Sequence, residues 1–174
     1  MTQLSSDKFN VAWFKLAEFV ARKEKERALG VYRLLAHSLP DEAFAAQLEG
    51  DLLLAFNDEK ALDSYKRAAR LYEVHEKLFQ AAAVYEHIIV LLPEVYDAHY
   101  MVIKVYEKLS NKHKYVSAIT RYMTLLLKNS MVTKAVETLK ELNLDSTVYE
   151  EFLELIKTKN PELHAHAREV LSFG

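Results

Sequence analysis

Apolar and polar positions alternate with a helical period along this chain, most cleanly between Lys60 and Glu94, KALDSYKRAARLYEVHEKLFQAAAVYEHIIVLLPE. Tyr65, Ala68, Ala69 and Tyr72 fall at i, i+3, i+4 and i+7, the spacing of one buried helical face. Ala81, Val84, Tyr85, Ile88 and Leu92 repeat that rhythm and stop at Pro93. Large and small residues alternate on both stripes, which lets two helices lie close along most of their length. The segment predicts a helical hairpin.

The same period predicts helices on either side. A first, over 7–23, buries Phe9, Trp13, Leu16, Ala17 and Val20, and a second, over 25–38, buries Ala28, Tyr32 and Leu35 before Pro40. A third, over 41–56, carries Phe44, Leu48, Leu52 and Phe56. Beyond the hairpin come helices over 94–109 (Tyr96, Tyr100, Ile103, Tyr106), 112–128 (Tyr115, Ala118, Tyr122, Leu125) and 130–142 (Ala135, Leu139, Leu142). A ninth spans 146–159 with Val148, Phe152, Leu155 and Ile156. Asn160-Pro161 then opens a tenth over 161–172, with an N-cap residue followed by proline at the first helical position. The connections between them are short.

A phrase recurs within these helices: alanine, tyrosine four residues later, and a small or aliphatic residue three beyond. It appears as Ala28/Tyr32/Leu35, Ala61/Tyr65/Ala68, Ala81/Tyr85/Ile88 and Ala118/Tyr122/Leu125. Between Leu62 and Val95, the order Tyr65, Ala68-Ala69, Tyr72, Ala81, Tyr85, Ile88, Pro93 matches the large, small and proline positions of a tetratricopeptide repeat, a 34-residue helix-turn-helix unit. The chain thus resembles the tetratricopeptide-repeat (TPR) family over about residues 9–142. The stretch from Leu71-Tyr72-Glu73 through Ala81-Ala82 is also similar to the divergent repeats of soluble NSF attachment proteins.

The resemblance implies an all-α fold, a right-handed α-α superhelix (TPR-like solenoid) of about nine to ten antiparallel helices. It divides the chain into a flexible lead over 1–6, repeats over 7–145, and capping helices of the same domain over 146–174. Two pairings stay open. Copies of the phrase are 33, 20 and 37 residues apart, so the fourth helix reads both as the second helix of one unit and as the first of the next.

Composition agrees with helices: three glycines and three prolines in 174 residues are too few for strands joined by tight turns. A net charge of −2 with a pI near 6.4 offers no basic field for nucleic acid. With no cysteine, disulfides, thiolate metal sites and thiol catalysis are excluded. Lys15 and Glu18 interrupt the N-terminal apolar stretch, and the longest apolar run, Ile88 to Leu92, is far short of a membrane span. The chain reads as a cytoplasmic protein.

Candidate chemistry is sparse. No two of the seven histidines form an i, i+4 helical pair, and a site built from distant ones, such as His75 with His99, has no spacing to support it. No phosphate loop or nucleophile elbow is present, so the expected protein is not an enzyme and needs no cofactor or metal. The resemblance implies a scaffold that holds a peptide or partner helix on the first-helix face of its repeats. In the 62–95 unit that face offers Asp63, Lys66, Arg70 and Glu73, and Lys66 with Arg70 would receive a carboxylate. The plain alternative pairs Asp63 with Arg67 and Arg70 with Glu73 as surface ion pairs. The Lys-x-x-x-Asn pair with which some family members clamp chaperone tails is missing from the first helix, where Lys8 meets Ala12 and Lys15 meets Phe19. Tyr32, Tyr65, Tyr72, Tyr85 and Tyr122 are expected to pack, rings buried and hydroxyls at the edge. Two other functions remain open: a homodimer closed by an apolar terminal helix ending in Leu171-Ser172-Phe173-Gly174, and a metal-dependent enzyme.

Overall fold

The computed structural model describes the backbone of residues 6–142, 144–159, 161–162, 164–165 and 168. Among these residues the chain forms nine α-helices: α1 (Ser6–Ala21), α2 (Lys25–Ala36), α3 (Glu42–Ala55), α4 (Ala61–Val74), α5 (Leu78–Leu91), α6 (Tyr96–Lys108), α7 (Lys112–Lys128), α8 (Val132–Leu142) and α9 (Ser146–Lys159). The fold is all-α, with helices packed on their sequence neighbours. The predicted tenth helix, its apolar residues and the terminal Leu171-Ser172-Phe173-Gly174 lie largely outside the described residues. The chain resolves into two compact units, Met1–Ile88 and Ile89–Gly174.

In the first unit α1 packs on α2, α2 on α3 and α3 on α4. Leu16, Ala28, Tyr32, Leu35 and Leu52 form one core cluster, flanked by Trp13, Phe19, Val20 and Phe56. The most extensive contact is between α3 and α4, which bring small residues together: Ala43, Ala46 and Gly50 are buried on α3, and Ala61, Ala68 and Ala69 on α4. Gly50 is required by this closeness, because a Cβ there would sit 2.7 Å from the Tyr65 ring. α4 also touches α5, where the Tyr85 hydroxyl donates to Glu73 (2.7 Å) and the His87 ring meets Tyr65 edge-on at 5.0 Å. The pairing of the third helix with the fourth is therefore the extensive one, and α4 meets α5 through these two side-chain contacts.

In the second unit α6 packs on α7, and α7 on α8 and α9. Val102, Ile103, Ile119, Met123, Leu126, Leu139 and Leu142 are buried. His99 is buried as well. It stacks on Tyr122 at 5.6 Å, and its Nε2 lies at hydrogen-bond distance (2.9 Å) from the Pro93 carbonyl.

Five helices end in one shared geometry. Lys23, Asn57, Glu76, Ser110 and Ser130 all have positive φ, between 53° and 59°. After each, the next residue's N–H reaches back to a carbonyl one turn earlier: Glu24 to Phe19, Asp58 to Leu53, Lys77 to Tyr72, Asn111 to Tyr106 and Met131 to Leu126, at 2.8–3.1 Å. This is the Schellman closure, which satisfies carbonyls that a helix end leaves open. Lys23 to Asn57 and Glu76 to Ser110 are both intervals of 34 residues, with 19 between the two pairs. Two 34-residue registers thus flank α4.

The turns of the first register are tied together. Lys23 Nζ donates to the Ala55 carbonyl (3.0 Å), and Lys25 pairs with Asp58 (2.6 Å). The charged run over 22–27, expected to be a solvated turn with local pairs, makes those local pairs (Arg22–Glu18, Arg27–Glu24) and this longer tie as well.

Several predicted stripes are corrected in detail. Phe44 is exposed, and the buried face of α3 is set instead by Ala43, Ala46, Gly50 and Leu53. Ala17 is exposed on α1, Leu92 falls beyond the end of α5 and is exposed, and Leu126 replaces Leu125 as the fully buried residue of α7. At Phe44, Ala17 and Leu125 apolar residues occupy more than one face of the helix, so periodicity alone does not choose the inner one, whereas at Leu92 the helix has already ended.

Candidate functional site

α4 separates its residues cleanly by face. Ala61, Ser64, Tyr65, Ala68, Ala69 and Tyr72 are buried, while Asp63, Arg67, Arg70 and Val74 are exposed and Lys66 and Glu73 are half-buried. Helical geometry puts Asp63, Lys66, Arg67, Arg70 and Val74 on one outward stripe, with Glu73 at its edge.

The local pairs considered from the sequence are not the ones formed by Arg67 and Tyr85's partner. Arg67 reaches across to Glu49 of α3 (2.7 Å), and the same carboxylate oxygen accepts from the Ser64 hydroxyl (3.0 Å). Glu73 accepts from the Tyr85 hydroxyl. Asp63 and Arg70 form no ion pair among the described residues. The stripe therefore presents Arg70 to solvent, four residues from Lys66, and Arg70 is also close enough to Tyr85 to oppose the rise in its pKa.

The five tyrosines assigned to packing are all buried: Tyr32, Tyr65, Tyr72, Tyr85 and Tyr122. Four hydroxyls find partners at the edge of the core. Tyr32 donates to the Ala45 carbonyl (2.9 Å), Tyr65 to Asp51 (2.7 Å), Tyr72 to Gln47 (3.2 Å) and Tyr85 to Glu73. Burial raises all five pKa values, and the adjacent carboxylates Asp51 and Glu73 raise those of Tyr65 and Tyr85 further. The acceptors Gln47, Glu49 and Asp51 on α3 were not legible as functional partners, since only the pairing of α3 with α4 places them opposite Tyr72, Arg67 and Tyr65.

Among the described residues, no three of histidine, aspartate and glutamate gather as a metal-binding group. His99 serves packing and the Pro93 turn, and His75 is exposed at the end of α4. No helix among the described residues is long and apolar enough to cross a membrane. Comparison with known proteins found no family model and no curated protein that matches the chain.

Proposed function

We propose that the chain is a non-catalytic scaffold of tetratricopeptide type, and that the outward stripe of α4 receives a carboxylate from a partner protein, either its C-terminus or an acidic side chain. The observation that carries this reading is the split character of α4. Its inner face is buried and packed chiefly on α3, while Lys66 and Arg70 share the outer one. Support for the repeat type comes from the 34-residue intervals between left-handed turns and from the buried alanine/tyrosine phrase in α2, α4, α5 and α7. Arginine and lysine one helical turn apart form a two-pronged receptor for a carboxylate, and charge-assisted bonds of this kind are about twice as strong as neutral ones.

The test is the double reversal Lys66→Glu with Arg70→Glu. Both positions face outward, so far-ultraviolet circular dichroism should be unchanged while capture of an acidic peptide with a free C-terminus drops at least tenfold, as expected for loss of charged hydrogen bonds. Binding that survives the reversal, with helicity intact, would remove α4 as the receptor.

A further inference from the structure

Helix α1 carries apolar residues on two faces. Leu16 is buried, and Trp13, Phe19 and Val20 pack against the core cluster it belongs to. Away from that core, Phe14 is 77% exposed and Val11 52%, and Ala17 and Ala21 are exposed beside them. Asn10, Phe14, Ala17 and Ala21 are spaced four, three and four residues apart, so they line one outward stripe of the helix. A single exposed phenylalanine needs no explanation, but an apolar stripe along a helix marks a contact surface.

The order of sizes along the stripe selects its occupant. If two copies of α1 lie antiparallel about a two-fold axis midway between Lys15 and Leu16, Phe14 of each copy meets Ala17 of the other. Asn10 of each then meets Ala21. Large residues face small ones at every level, which is the condition for two helices to approach closely. One patch also serves both copies, as a two-fold interface requires. The charges agree with the same arrangement. Lys15 and Glu18 are exposed along the Val11 edge of the stripe, and in the antiparallel pair Lys15 of one copy lies beside Glu18 of the other, twice by symmetry. A parallel pair would instead set Lys15 beside Lys15 and Glu18 beside Glu18. Glu18 is now held by Arg22 one turn along (2.7 Å), and both side chains are exposed, so sharing that carboxylate costs little.

We propose that a second copy of this chain covers the stripe, in a two-fold antiparallel pair of α1 helices with Phe14 seated on Ala17 and Lys15 paired with Glu18 across the axis. The contact uses neither the outward stripe of α4 nor the end of the chain at Leu171-Ser172-Phe173-Gly174. Its strength follows from its size. With 16 residues, α1 is about 24 Å long, and one such helix pair buries less than the roughly 1,200–2,000 Å² of stable interfaces. The dimer is therefore weak and reversible, with a dissociation constant on the order of 100 μM.

The test is equilibrium sedimentation of the full chain from about 10-fold below to 10-fold above that constant. A monomer–dimer equilibrium is expected. Phe14→Glu should weaken it at least tenfold with helical circular dichroism unchanged, because the ring is exposed in the monomer. Lys15→Glu and Glu18→Lys should each weaken it about fivefold by setting like charges together, and the double exchange Lys15→Glu with Glu18→Lys should restore it. A chain that stays monomeric at the highest concentration would overturn the proposal. A dimer that persists unchanged in Phe14→Glu would do so too, by placing the contact elsewhere in the molecule. Loss of the dimer in Phe14→Glu, with a double exchange no stronger than the single variants, would overturn the antiparallel pairing.

Discussion

Five helix ends carry a side chain in the left-handed region, which costs an ordinary L-residue about 1–2 kcal/mol and glycine almost nothing. Asparagine tolerates that region better than most residues, so Asn57 is the least strained of the five. Glu76 is exposed, and its backbone N–H bonds to the Glu73 carbonyl whichever side chain it carries. Glu76→Gly should therefore stabilise the protein by about 1 kcal/mol, and Ser130→Gly by a similar amount, while Asn57→Gly should change little. Denaturant unfolding with an unchanged slope would measure this. Equal effects at Glu76 and Asn57 would show that strain at the turn is not what separates them. The sequence concealed these turns because their usual marker is absent: the chain has three glycines, and neither Gly30 nor Gly50 has a positive φ.

Small residues set the spacing of α3 and α4. The Tyr65 ring lies against the backbone of Gly50 and is held from two sides, by the hydroxyl bond to Asp51 and by the edge contact with His87. It cannot swing aside without giving up one of these. Gly50→Ala gains about 1 kcal/mol of helix propensity but forces a Cβ to within 2.7 Å of the ring, and overpacking of that kind costs about 1–3 kcal/mol. The expected net result is a lower thermal midpoint. A higher midpoint would mean that the ring moves freely and that Gly50 does not fix the approach of the helices. α4 and α7 were legible in the sequence because each shows one apolar stripe against polar flanks, which the period resolves. α3 was legible as a helix but not by face. In EAFAAQLEGDLLLA the bulky Phe44 outweighs Ala43 and Ala46 in any hydrophobic pattern, yet close packing selects the small residues. The α4 stripe was legible in the same way as its buried face, by helical geometry.

Across the whole molecule, tyrosine hydroxyls form the recurrent boundary between core and water. Tyr32, Tyr65, Tyr72 and Tyr85 in the first unit, and Tyr115, Tyr122 and Tyr149 in the second, all have pKa values raised above the ordinary value near 10. Burial is the leading cause at every one, because it disfavours the phenolate. A raised folded-state pKa means that the unfolded chain loses these protons first as the pH climbs. The stabilising contribution of each is therefore fully present below about pH 10 and is lost as pH rises through the folded values, about 12 for Tyr115 and Tyr122. On the acid side the sign reverses at Asp41. Its hydrogen bond from Lys77, with help from the N–H groups of Phe44 and Ala43, lowers its pKa, so its contribution persists at neutral pH and fades only below the ordinary carboxylate value near 4. Thermal stability should consequently stay level from neutral pH to about pH 10 and then fall steeply by about pH 12. Tyrosinate absorbance and helical circular dichroism, followed together, decide the cause. If the buried tyrosines hold the folded state together as neutral groups, the later part of the phenolate signal should appear with the loss of helix. Complete ionisation of every tyrosine with the helices intact would show instead that these hydroxyls reach water freely, and that the bonds to Asp51, Gln47 and Glu73 add little to the packing beneath them.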